Sequence, residues 1–397
     1  MTDPTAITAT RQRLDRLEGF LRQDPANNAL LIDAFETALS CGDWERARFH
    51  LQHGLSLQAD PLAWRLREGD FWLAQQRYDE AQGVLEALLG ASNAPPGFAA
   101  VLLHNLAFID FKRGRYPACI ERLAPLLEGG AVGSPSADAQ AEAATRALQQ
   151  LWLRALHHDR QLDRAMGWAQ EAQRQQRLDP QAAGVASLVA IDAADFASAQ
   201  RWSAISLQAG GSEECPVEVL VTEASLALAA GNPARASQFA DAALQRRPED
   251  GRAWSARGFA ALLAGDAGAA ATAFQRALST MADHIGTWHG LGWARILAGD
   301  LPAARASFEA ALALDRNFAE SHGGLAVVLA MQHSRQDAEV HAELALKLDK
   351  SNLSGRYAGA LLKGEAKDAR DLQRLARRLL GARPGPLGGL MTDMLPP

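Results

Sequence analysis

The same residue types return every thirty-four positions through the middle of this chain: Trp254 and Trp288, Gly258 and Gly292, Ala270 and Ala304, Phe274 and Phe308, Ala277 and Ala311. Repetition at that spacing constrains the fold more than length does, because it calls for stacked pairs of helices that bury their faces against neighbouring copies. The 397 residues therefore count repeats rather than globular domains. A formal net charge of -6 supplies no basic field, which argues against nucleic acid as a principal ligand.

Taken from Gly251, the unit 251–284 carries Trp254, Gly258, a Gly265-Asp266 break, Ala270, Phe274 and Ala277. The next unit, 285–318, carries Trp288, Leu291, Gly292, the break Gly299-Asp300, Ala304, Phe308 and Ala311. This resembles the tetratricopeptide repeat, whose pattern is W-x2-L-G-x2-Y, then A-x3-F, then a late proline that both units lack. Weaker copies flank them. Residues 217–250 keep Ala224, Gly231-Asn232, Ala236, Ala240, Ala243 and Pro248, and residues 319–352 keep Leu325, Ala326, Ala338 and Ala345. Break signals at Gly42-Asp43-Trp44, Arg77-Tyr78, Gly114-Arg115-Tyr116, Leu162 and Asp195-Phe196 place further units at 28–61, 62–95, 100–133, 146–179 and 180–213. The resemblance implies an all-α, right-handed α-solenoid of stacked helix-turn-helix units.

The pattern has physical causes. Glycine at the break accepts the left-handed conformation that ends a first helix, and the following Asp or Asn caps the amides of the second. Small residues at the eighth and twentieth positions, such as Gly258 with Ala270 and Gly69 with Ala81, are expected to let the paired helices approach. Trp44, Tyr78, Tyr116 and Phe196 are expected to open second helices and to pack in the core.

The organisation expected is an N-terminal capping helix in 1–27, with Leu14, Leu17 and Leu21 on one side, then N-terminal repeats in 28–133 and C-terminal repeats in 134–352. Degenerate capping helices follow in 353–380 and a flexible tail in 381–397. Three spacers, 90–97, 129–139 and 209–216, interrupt the array, and the second is the likeliest hinge from its loop-forming residues.

No phosphate-cradling glycine loop, paired CxxC, HExxH or G-x-S-x-G turn occurs, so the sequence supports neither an enzyme nor a cofactor. His157-His158 and the series His284, His289, His322, His333 and His341 lack the convergence that a metal needs. Cys41, Cys119 and Cys215 are odd in number and far apart, which suits reduced thiols. With no apolar stretch long enough to span a bilayer and no leader pattern, no membrane insertion and a cytoplasmic location are expected. Five lysines against thirty-five arginines point to a GC-rich bacterial genome.

In the tetratricopeptide family the inner, concave face comes from the first helix of each unit, at its second, fifth, ninth, twelfth and thirteenth positions. Carried onto this sequence, that rule nominates Val221 and Leu228, Phe259 and Leu262, His289, Trp293 and Ile296, then Val327 and Met331. Ser225, Ser255, Gly323 and Ala330 share those positions. The face is largely apolar, which suits an apolar or amphipathic protein segment. It departs from the family's clamp for a C-terminal carboxylate, because the neighbours of Asn105, His104 and Phe108, do not complete a basic clamp. Nearer the N-terminus the face is charged, with Asp33, Glu36, Arg67, Asp70, Arg154, His157 and His158.

The resemblance implies a non-enzymatic scaffold, adaptor or chaperone for protein–protein interaction, of the kind found in bacterial secretion, pilus or envelope assembly. Two alternatives remain open: a self-associating structural scaffold and a small-ligand sensor using His104, Asn105 and Arg154. Self-association would use the tail, where Leu387, Leu390, Met391, Met394 and Leu395 fall on one helical stripe.

Overall fold

The structure is a computed structural model that describes residues 4–57, 59–91, 95, 97–129, 139–365 and 378. Among them are twenty α-helices and no strand. The chain divides into two compact units, 1–179 and 180–397. The spacer expected at 129–139 lies mostly outside the described residues, as do the tail and its stripe.

The first unit opens with α1 (Pro4–Leu21), followed by the pairs α2 (Asn28–Ser40) with α3 (Trp44–Leu57), and α4 (Pro61–Ala74) with α5 (Tyr78–Leu88). It continues with α6 (Phe98–Lys112) and α7 (Tyr116–Leu127), then α8 (Ala139–His158) and α9 (Leu162–Arg174). Leu14, Leu17 and Leu21 of α1 are buried with Leu31, Phe35 and Trp64, so α1 closes the apolar end of the array. A polar clasp fastens it: Arg46 of α3 donates to both Glu18 oxygens at 2.8 and 2.7 Å, and His50 Nε2 lies 3.0 Å from Glu18. The Arg46 contact holds the Glu18 carboxyl below its ordinary range, and burial pushes the His50 imidazole down.

The second unit pairs α10 (Pro180–Asp192) with α11 (Phe196–Glu214), α12 (Val217–Ala229) with α13 (Pro233–Arg246), and α14 (Gly251–Leu263) with α15 (Ala267–Leu278). The pairs α16 (Ile285–Leu297) and α17 (Leu301–Leu314), α18 (Ala319–Met331) and α19 (Arg335–Leu348) follow, and α20 (Leu353–Leu362) ends the described helices. First helices contact one another in succession from α10 to α20, while each second helix packs between its own first helix and the next.

Three features repeat with the thirty-four-residue register. Gly231, Gly265 and Gly299 adopt left-handed backbone at φ 66, 80 and 79°, and Asn232, Asp266 and Asp300 then accept from the backbone N–H three residues on, at 3.0, 2.9 and 3.1 Å. Each turn is thus reversed and capped by two adjacent residues. The aromatic at position 24 plugs the space between consecutive first helices, with Phe274 against Gly258 and Gly290, and Phe308 against Gly292 and Gly324. At the fourth position a side chain reaches back to the loop carbonyl six residues earlier. Trp254 bonds Pro248 at 2.7 Å, Trp288 bonds Ala282 at 2.8 Å, His322 bonds Arg316 at 2.9 Å and Arg356 bonds Lys350 at 2.8 Å. The bond is retained through three side-chain types, and it gives His322 a structural task.

Three expectations need correction. Second helices do start at Trp44, Tyr78, Tyr116 and Phe196, but Trp44 is exposed and the other three are half-buried, because the first turn of a second helix stands at the rim of its pair. The eighth-position glycine makes room for the side chain at position 24 and not for the small residue at position 20: a Cβ at Gly69 would meet Leu85 at 2.8 Å, and one at Gly258 would meet Phe274 at 2.7 Å. The stretch 209–216 interrupts the array as a kink and not as a loop: α11 breaks its helical geometry at Gly211 (φ 64°, ψ -172°) and continues beyond the break to Glu214.

Candidate functional site

The nominated residues fall into three environments along the first helices of the second unit. Val221, His289, Ile296 and Val327 are buried in the chain's own packing. Leu228, Phe259, Leu262 and Trp293 are half-buried, and Met331 is exposed.

The fifth position turns inward because it joins neighbouring first helices. His289 Nε2 lies 2.7 Å from Ser321 Oγ, with its ring 5.9 Å from Phe308 and 5.3 Å from Phe318. Burial lowers its pKa to about 4, so at neutral pH the imidazole is an uncharged structural group. Similar polar rungs connect Ser187 to Thr222 at 3.0 Å and Ser255 to Thr287 at 3.2 Å. Such buried hydroxyls need partners, and each finds one across the helix pair.

The ninth position is part core and part surface. Phe259 sets its ring edge-on to Phe274 at 4.9 Å, and Trp293 does the same to Phe308 at 6.1 Å. Each aromatic is spent partly on the plug of its own repeat. The twelfth position behaves alike: Leu262 joins the cluster around Phe274, and Leu228 packs on Ala224, Ala240 and Ala256.

The thirteenth position faces outward. Leu263, Leu297 and Met331 are 41%, 64% and 38% exposed. They occupy one register position in α14, α16 and α18, thirty-four residues apart, and therefore form a row across three adjacent helices. Sequence reasoning named Met331 alone, although the period itself marked Leu263 and Leu297 as its equivalents. Half-buried Phe259, Leu262 and Trp293 lie one turn or less behind the row. On α19, Val340, Leu344 and Leu348 are also exposed at i, i+4 and i+8.

No group of three or more His, Cys, Asp or Glu among the described residues could hold a metal, and no described helix is long and apolar enough to cross a membrane. The His322 and His341 rings stack with their Nδ1 atoms 2.9 Å apart. A cavity of about 310 Å³ beside α12 is lined by Gln200, Glu223, Leu226, Asn232 and Arg235, and Glu223 is already paired with Ser203 at 2.8 Å and Arg235 at 2.9 Å.

Helix pairs on a thirty-four-residue register, with a glycine turn and an aromatic plug in successive copies, make an all-α helical-repeat array that resembles the tetratricopeptide repeat. No protein-family model matches the sequence, and no curated protein matches it. Among solved structures it is similar to a tetratricopeptide repeat protein from Parabacteroides merdae, with 13% identity, 76% of this chain and 98% of that one covered, and a TM-score of 0.37. The Cut9–Hcn1 hetero-tetramer of APC/C is similar at 12% identity, with 89% and 79% covered and a TM-score of 0.41. YrrB, a repeat protein described as having an unusual peptide-binding site, is similar at 15% identity, with 48% and 96% covered and a TM-score of 0.37.

Proposed function

We propose that this chain is a non-enzymatic interaction scaffold that takes an apolar or amphipathic segment of a partner protein across the first helices of its second unit. The observation that carries this reading is the row Leu263, Leu297 and Met331, exposed at one position of three consecutive repeats. Apolar side chains scattered singly over a surface need no explanation, but exposed apolar residues repeated at one register position and backed by half-buried aromatics suit a helix-in-groove or extended-peptide site. Phe259 and Trp293, anchored by Phe274 and Phe308, would give such a segment rigid walls with little ordering cost. An adaptor or chaperone acting in bacterial secretion, pilus or envelope assembly is the setting that the tetratricopeptide resemblance implies.

The test uses a random twelve-residue peptide library selected on the immobilised full chain. Selected peptides should carry apolar residues at i, i+3 or i+4 spacing, or alternating along an extended strand. The triple variant Leu263→Glu, Leu297→Glu, Met331→Glu should bind them at least tenfold more weakly with unchanged helicity and denaturation midpoint. Full retention of binding by that variant, or selected peptides without an apolar pattern, overturns the reading.

A further inference from the structure

The inner helices of the first unit carry a polar chain that their packing does not complete. Asp70 on α4 accepts a hydrogen bond from Asn105 Nδ2 at 3.1 Å. Asn105 Oδ1 lies 3.1 Å from His104 Nδ1. An amide oxygen only accepts, so His104 Nδ1 carries the proton and its Nε2 presents a lone pair. Among the described residues none donates to the second Asp70 oxygen and none to His104 Nε2. The chain therefore ends in two open acceptors.

The nearest cation is turned away from them. Arg67, one turn before Asp70, spends its guanidinium on Glu36 at 3.3 Å and on the Ala63 carbonyl at 3.3 Å. Its plane stands over the Trp64 ring at 5.5 Å, and its Nε is closed to solvent without an acceptor. Asp70 is consequently a half-buried carboxylate without a direct ion pair, and partial burial raises its pKa to about 6 against the relief from Arg67 and Asn105. Burial also pushes the His104 imidazole down, which keeps it neutral and accepting. A half-desolvated carboxylate without an ion pair costs stability, and a helix face that keeps one beside an open edge is suited to recognising a cation.

We infer that Asp70, held by Asn105 and flanked by His104, is a receptor for the cationic side chain, lysine or arginine, of a segment laid along α2, α4 and α6. The incoming ammonium or guanidinium supplies donors only, which matches the Asp70 oxygen and the His104 Nε2 that the protein's own packing does not engage. Glu36 on α2, already shared with Arg67, adds negative potential at the same face. The arrangement inverts a carboxylate clamp: here the protein provides the anion and the partner the cation. The inference stands on a different unit and different residues from the apolar row.

The experiment titrates the full chain with n-butylammonium and methylguanidinium, the side-chain ends of lysine and arginine, and with neutral n-pentanol and methylurea as isosteres. The readout is the Asn105 side-chain amide in a 1H–15N spectrum. The cations should shift that signal at least tenfold more tightly than the isosteres, and Asp70→Asn should abolish the difference. Affinity should fall about tenfold between pH 7.5 and pH 5 as the carboxylate protonates. His104→Gln should keep that pH dependence, which assigns it to Asp70 among the facing groups Glu36, Arg67, His104 and Asn105. Equal response to cations and isosteres, no response to either, or an unchanged response in Asp70→Asn overturns the inference. Preference between the two cations identifies which basic side chain the site takes.

Discussion

Gly292 faces the ring of Phe308 so closely that a methyl group on its Cα would stand 2.6 Å from the ring's Cζ. Alanine normally improves a helix interior by about 0.5–1 kcal/mol over glycine. Here the ring is fixed between two helices and cannot move aside. Gly292→Ala should therefore destabilise the second unit by about 1–3 kcal/mol. Gly167→Ala on α9, where an added Cβ meets nothing within 4 Å, should stabilise by about 0.5–1 kcal/mol. Denaturant midpoints of the two variants should move in opposite directions.

His333 stands where Gly231, Gly265 and Gly299 stand in the preceding copies, and it has the same left-handed backbone, φ 63°. A side chain in that region costs about 1 kcal/mol. His333 is exposed and its ring is not needed for the turn, so His333→Gly should raise stability by about 0.5–1 kcal/mol, measured by urea denaturation.

Acid should weaken the His289 rung. The imidazole titrates at about 4 when folded, below its ordinary value of 6.5, so the fold disfavours the proton. Its contribution is full above pH 6.5 and declines as pH falls from 6.5 towards 4. His289→Gln, which keeps a polar partner for Ser321, should flatten stability over that window, by an amount on the order of 2 kcal/mol.

Asp70 should show the opposite sign. Its folded pKa of about 6 lies above the ordinary value of 3.8, so the fold favours the protonated acid. Stability from this group is greatest below pH 3.8 and is lost as pH rises to about 6. Asp70→Asn should exceed the natural chain in stability by about 2 kcal/mol at pH 7.5, narrowing to nothing below pH 4. A stabilising change that also removes cation recognition is the signature of a residue retained for binding.

The three thiols should separate by reactivity. Cys119 is buried and its pKa is pushed up to about 12 by burial, and burial likewise raises that of Cys215. Cys41 is only half-buried. A chromogenic disulfide reagent at pH 8 should modify Cys41 first and should reach Cys119 only in denaturant.

The period made helix pairing legible, along with the glycine turns at Gly231, Gly265 and Gly299, the caps beside them and the closing role of Leu14, Leu17 and Leu21. It did so because those features are local or repeat with fixed spacing. It was less informative about exposure, which depends on what the two flanking copies bring to a position. His289 shares its place with Val221 and Ser255, yet its fate is decided by Ser321 one repeat later. Trp44 has the composition of a core residue and sits at a rim. Leu263 and Leu297 were readable as equivalents of Met331, and only the positions named first obscured them. The half-filled valence of Asp70 had no sequence signal, since it follows from where Arg67 points.

Because Phe274 and Phe308 are each gripped by glycines from two successive first helices, no copy in that stretch owns its plug. Loosening one copy opens a socket in the next, so the interior of the array resists force that its ends do not. Within the stretch that holds Phe274 and Phe308, the copies should unfasten one by one under load, each release exposing the following aromatic. The second unit is in that sense a ratcheted cord, whose extension under load is counted in steps of one repeat.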